Sequence, residues 1–227
     1  PVCAQFNFAK RGELADLSGT VALLTGGRVK IGYQAGIKLL RSGASLIVAT
    51  RFPRDAAARY AAEPDFGEWG DRVEVFGLDL RHTPSVEAFC SHILATRDRL
   101  DFIVNNACQT VRRPPDFYRH MMDGETVALE ALDPVTLDLV GEYEGLRGYH
   151  LLPGSDIGVA SSGTQVVSAD MPTPLAGLTQ AAEMSQTPLL PEELVAQGDL
   201  FPAGRLDQDL QQVDLRDRNS WRLLLAE

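Results

Sequence analysis

Between residues 21 and 105, short apolar runs alternate with stretches of helical period. No other feature of the 227-residue chain restricts its fold as much. Val21-Ala22-Leu23-Leu24-Thr25 stops at Gly26-Gly27, the pattern of a buried parallel strand. Ile31, Ala35, Leu39 and Leu40 then recur at helical spacing, and Ser42-Gly43 is a helix stop. Leu46-Ile47-Val48-Ala49 reads as a second strand. Pro53 stands where a helix opens, and residues 55–62 are rich in helix formers. Residues 73–78 predict a third strand. Thr83-Pro84-Ser85-Val86-Glu87 reads as an N-cap with Pro in the first turn, followed by an apolar stripe of Val86, Phe89, Cys90, Ile93 and Leu94. Asp101-Phe102-Ile103-Val104-Asn105 predicts a fourth strand. The order β-α-β-α-β-α-β implies an α/β fold, a parallel sheet with helices on both faces.

Composition divides the chain near residue 110. Residues 1–109 hold 13 Lys and Arg against 12 Asp and Glu, while residues 110–227 hold 8 Arg, no Lys and 19 acids. Residues 110–218 therefore read as an acidic, largely irregular insertion. The net charge of −10 argues against nucleic acid or an anionic membrane as a partner. No apolar run approaches the ~18 residues of a membrane span. Cys3, Cys90 and Cys108 are too few and too scattered for a disulfide framework, which favours a reducing, cytoplasmic setting. His82, His92, His120 and His150 show no ligand spacing, so no metal site is expected.

The first chemical signal is the turn Thr25-Gly26-Gly27-Arg28-Val29-Lys30-Ile31-Gly32, where strand one meets helix one. A helix N-terminus there presents free N–H groups and partial positive charge to a phosphate or pyrophosphate. Dinucleotide folds often place an acid at the end of strand two for the ribose 2′-hydroxyl. Here that place reads Ala49-Thr50-Arg51, with Arg54 and Arg28 also in prospect. Guanidinium groups suit a 2′-phosphate, so NADP is expected rather than NAD.

Residues 19–108 resemble the short-chain dehydrogenase/reductase family. The turn resembles its Thr-Gly-x-x-x-Gly-x-Gly motif. Asp79, in Leu78-Asp79-Leu80, resembles its adenine-contacting acid, and Asn105-Asn106-Ala107-Cys108 its Asn-Asn-Ala-Gly motif. The resemblance implies a Rossmann-like doubly wound sheet, apparently incomplete here. It implies a cofactor site built from Thr25, Gly26, Arg28, Lys30, Ile31, Gly32, Arg51, Asp79, Leu80, Asn105 and Ala107. It also implies hydride transfer between nicotinamide and a small carbonyl or alcohol substrate. Lys30 replaces the family's middle glycine and Cys108 its last one. Its Tyr-x-x-x-Lys pair is missing: none of Tyr33, Tyr60, Tyr118, Tyr143 and Tyr149 has Lys four residues on, so the catalytic residues are unassigned.

The expected organisation is a lead-in over 1–18, an NADP-binding half over 19–109, the insertion over 110–218, and a helix beginning at 219–227, where the chain reads as truncated. Cys3 reads as a free thiol, and the strand-like residues 157–163 as a loop or hairpin. A longer form would supply the catalytic pair and possible homo-oligomer contacts. The alternative is a non-catalytic NADP(H) sensor or scaffold.

Overall fold

Four parallel strands, β1 (Val21–Thr25), β2 (Ser45–Thr50), β3 (Val73–Gly77) and β4 (Phe102–Asn105), form one sheet in the order β3-β2-β1-β4. The computed structural model of the chain describes residues 2–108, 113–144, 180–187 and 198–217. The expected loop or hairpin over 157–163 and the helix beginning at 219–227 lie outside the described residues. The sheet grows to one side of β1 through β2 and β3, then jumps to the other side for β4. That reversal opens a crevice at the carboxyl ends of β1 and β4, where ligands of open α/β sheets bind.

β2 and β3 are apolar because both their faces are covered, whereas β4, at the sheet edge, leaves Phe102 and Ile103 exposed. Leu24 and Leu46 lie under α2 (Lys30–Arg41), where Gly36 lets the helix approach the sheet and the Tyr60 hydroxyl. Tyr60 belongs to α3 (Pro53–Ala61). On the opposite face, Phe76 stacks edge-on against Phe89 of α4 (Thr83–Thr96), with ring centroids 5.4 Å apart. Strand pairing puts Leu24, Val48 and Val75 in line and Ala49 beside Phe76, so the alternation of strand side chains sorts these residues to the two faces. The cap of α4 falls one residue before the expected Thr83. His82 is the cap, and its Nδ1 lies 2.7 Å from Ser85 Oγ.

Two features depart from what composition suggests. The lead-in carries a helix, α1 (Val2–Ala9), whose residues are all exposed. In the acidic half, residues 113–144 carry α5 (Pro115–Glu125) and α6 (Pro134–Leu139). Both helices open on proline, and Asp133 caps α6 by accepting from Val135 N and Thr136 N. Both pack on α3. Phe117, Tyr118 and Met121 of α5 join Phe52, Phe201 and Ala182 of α7 (Ala181–Ser185) in a second apolar cluster beside the main core.

Candidate functional site

Beyond the carboxyl ends of the strands lies a cleft of about 730 Å³, within the usual ~300–1,000 Å³ range of small-molecule sites. Its floor is the glycine turn. Gly26 has φ +69°, and a Cβ there would lie 2.9 Å from Ala107 Cα. Only glycine lets β1 and β4 end so close together. Thr25 and Asn106 fasten this junction. Thr25 Oγ1 accepts from Asn106 N and Ala107 N, each at 3.1 Å, and Asn106 Nδ2 donates to the Gly26 carbonyl at 3.1 Å.

Of the eleven residues expected at the site, Gly26, Arg28, Lys30, Ile31, Gly32, Arg51, Asp79, Leu80 and Ala107 line the cleft. Thr25 lies behind it as a brace, and Asn105 ends β4 opposite Thr25 without reaching it. Ile31 is 80% exposed at the mouth, an apolar surface held in water beside the helix N-terminus. Its exposure and that of Leu80 suit a ligand with an apolar ring.

The expected arginines separate into different roles. Arg51, at the end of β2, donates to the Tyr118 hydroxyl at 3.2 Å and lies over the rings of Phe52 and Tyr118. Among the described residues it forms no ion pair with a carboxylate. Arg28 is only 7% exposed, and its Nη1 meets Asp55 at 2.8 Å. Burial pulls the Arg28 pKa down against the opposing charge of Asp55. Burial also pushes Asp55 up, but Arg28 and Arg59 outweigh it and hold that carboxyl below its ordinary range. Arg54 lies outside the cleft. It is buried with Nε 2.9 Å from Glu144 and Nη1 2.6 Å from the Val127 carbonyl, tying α3 to the chain beyond α5.

Other cleft residues escape the family pattern. Arg81 grips the Asp79 carboxylate, with Nε 2.9 Å from Oδ1. Burial raises the Asp79 pKa, and Arg81 more than reverses this. An Asp-x-Arg sequence at the end of β3 was the available signal for this pair. Tyr118 and Phe117 reach the cleft from α5 and Gln211 from the C-terminal part, and all three stand outside the family motifs. Arg113 lines the cleft too, paired with Asp214. The cationic side chains of the lining are Arg28, Lys30, Arg51, Arg81 and Arg113, and its one acid is Asp79. A basic cleft in a chain of net charge −10 is a local arrangement that composition does not show.

Residues 20–124 match the family described as short chain dehydrogenase. Through these residues the chain belongs to the short-chain dehydrogenase family. It is 32% identical over 151 residues to an uncharacterised protein of Acanthamoeba polyphaga mimivirus, covering 64% of this chain and 31% of that protein. It is 34% identical over 106 residues to dehydrogenase/reductase SDR family member 13 of Bos taurus, covering 44% of this chain and 28% of that one. A metagenomic short-chain oxidoreductase solved with NADP is 27% identical, with a TM-score of 0.39 over 56% of this chain and 49% of that one. The chain spans about a third of the length of the curated relatives it matches. Among the described residues no helix is long and apolar enough to cross a membrane.

Against the short-chain dehydrogenase motif, Lys30 is the informative departure. It adopts φ +54° at the start of α2, a left-handed conformation that suits the glycine of the family pattern. For a residue with a Cβ this costs roughly 1–2 kcal/mol, and glycine returns about 0.5–1 kcal/mol of that as chain entropy. Lys30→Gly is therefore expected to stabilise the fold by roughly 0.5 kcal/mol in chemical denaturation. A loss above about 1 kcal/mol would contradict the left-handed backbone at this position.

Proposed function

We propose that this chain binds NADP(H) in the basic cleft, as the cofactor-binding part of an oxidoreductase that moves hydride between nicotinamide and a carbonyl or alcohol group of a small molecule. The observation carrying this reading is Arg51. Its guanidinium stands at the end of β2, beside the cleft and in no ion pair with a described carboxylate, where a 2′-phosphate needs a cation. NADP(H) supplies the hydride. In this reading the first N–H groups of α2 hold the pyrophosphate, and Lys30 adds a mobile positive charge. Asp79 and Arg81 border the adenosine end as an ion pair, so Arg81 shares that end with Arg51. Ile31 and Ala107 offer apolar surface to the rings. We assign the cofactor-binding part to residues 19–109, with α5 and residues 198–217 as its cover.

A second reading, NADP(H) binding without turnover, has one observation in its favour: no tyrosine in this sequence has lysine four positions later. Both readings require binding, so calorimetric titration with NADPH and NADH comes first. NADPH is expected to bind more tightly. Arg51→Ala is expected to weaken NADPH roughly tenfold to a hundredfold and to leave NADH nearly unchanged, since one charge-assisted phosphate contact is lost. Absence of NADPH binding by the folded protein would refute the assignment. Equal weakening of both nucleotides would remove Arg51 from the 2′-phosphate.

A further inference from the structure

Residues 205–213, outside the matched family segment, form a tight strap beside the cleft. Val213 N donates to the Arg205 carbonyl at 3.0 Å and Asp207 N to the Gln211 carbonyl at 2.7 Å. Asp207 Oδ1 accepts from both Asp209 N and Gln211 N at 2.9 Å, and Leu210 at the tip has φ +56°. Arg59 of α3 holds the tip from outside. Its Nη1 donates to the Asp209 carbonyl at 2.8 Å and its Nη2 to the Leu210 carbonyl at 3.1 Å. These bonds use backbone oxygens, so the Asp209 side chain is directed independently of them. Its Oδ2 lies 3.7 Å from Lys30 Nζ.

Lys30 stands on a partition. Together with Arg28 and Val29 it borders both the large cleft and a second cavity of about 540 Å³, which Asp209 and Leu210 also line. Gln211, two residues after Asp209, borders the large cleft. The Lys30 and Asp209 side chains are 57% and 33% exposed, so their attraction is weak and exchangeable. Their backbones differ in freedom. The strap and Arg59 fix Asp209 in place, whereas Lys30 has a four-carbon arm that can swing to either cavity.

We propose that Asp209 is an internal anion that competes with the phosphate groups of the cofactor for Lys30. The strap holds a carboxylate next to the Lys30 ammonium, so a dinucleotide must draw the ammonium away and then share its surroundings with the carboxylate left behind. The inference rests on the NADP(H) reading and adds a brake to it, supplied by the acidic half of the chain.

Asp209→Asn keeps the size of the side chain and the Arg59 contacts to the backbone. It is expected to tighten NADPH roughly threefold in calorimetry at low salt, and inorganic pyrophosphate in the same direction, with the gain shrinking as salt screens it. Asp98→Asn, an exposed substitution before β4 at the far end of the sheet, makes the same change in net charge and is expected to leave affinity unchanged. In a Lys30→Ala background the Asp209→Asn gain is expected to fall markedly. Equal NADPH affinity in wild type and Asp209→Asn overturns the competition. So does an equal gain from Asp98→Asn, or an undiminished gain without Lys30. Absence of NADPH binding in every variant overturns the cofactor reading itself, and the competition with it.

Discussion

Gly32→Ala is expected to lower stability by about 3 kcal/mol and to reduce the melting temperature by roughly 10 °C, given ~2–4 °C per kcal/mol for a chain of this size. Helix propensity alone predicts the opposite, a gain of up to ~1 kcal/mol for alanine within α2. Packing reverses the sign. A Cβ on Gly32 would fall well inside contact distance of the Gly26 carbonyl oxygen and Asn106 Nδ2, and 3.0 Å from the Gly26 carbonyl carbon. These atoms have little room to move. Gly26 is fixed by its positive φ and its approach to Ala107, and Asn106 by its bonds to the Thr25 and Gly26 carbonyls. The methyl group therefore pushes helix from turn and loosens the Thr25–Asn106 brace. Gly124→Ala is the matched control. Gly124 lies in α5, and a Cβ there meets nothing within 4 Å, so propensity acts alone and stability is expected to hold or rise slightly. Thermal melts of the two variants decide the matter. A neutral Gly32→Ala would mean that the helix does not sit this close to the turn.

The same residues show why part of this site is legible in sequence and part is not. The sheet is legible because fully buried parallel strands must be nearly continuous apolar runs, and 21–25 and 46–49 are such runs. The glycine turn is legible because strand, turn and helix start are contiguous. Asn106 is harder to read. Two asparagines stand side by side, and only the structure shows that the second braces the turn while the first is turned out of the cleft. Arg54 is misread by proximity: three residues after Arg51 in sequence, it points into the protein because its partners, Val127 and Glu144, lie more than seventy residues away. The roof of the cleft had a local signal. Pro114-Pro115 followed by Asp116 is a helix start, and Phe117, Tyr118, Met121 and Glu125 recur at helical spacing. The acidic composition around them masks it, and the buried face ends on a carboxylate, which a search for apolar stripes rejects.

That carboxylate carries the other large expected effect. Glu125 is 3% exposed, at the end of α5, and both its oxygens face the start of α3. Oε1 accepts from Asp55 N at 2.9 Å and Oε2 from Arg54 N at 3.2 Å, so a residue seventy positions away caps the helix. Burial pushes its pKa up to about 7; the N–H groups of Asp55 and Arg54 pull against burial, and the Asp55 charge adds to it. The folded-state pKa thus lies above the ordinary 4.5, and the folded protein holds this proton more tightly than the unfolded chain does. The resulting stability is fully present below pH 4.5 and is lost as pH rises through about 7, a change on the order of 3 kcal/mol. Melting temperature is therefore expected to fall between pH 5 and 8, loosening the helix that carries Phe117 and Tyr118 over the cleft. Glu125→Gln is expected to flatten that slope. At pH 5 the variant is less stable than wild type by about 1–3 kcal/mol, because its amide N–H₂ faces one of the two backbone donors and leaves it without an acceptor. Toward pH 8 the two proteins converge. His120, whose pKa burial pulls below 6.5, slopes the other way at lower pH, but it is present in both proteins and cancels in their difference. Parallel pH profiles for the two would show that Glu125 does not titrate in this range and that α5 is held on α3 by its apolar face alone.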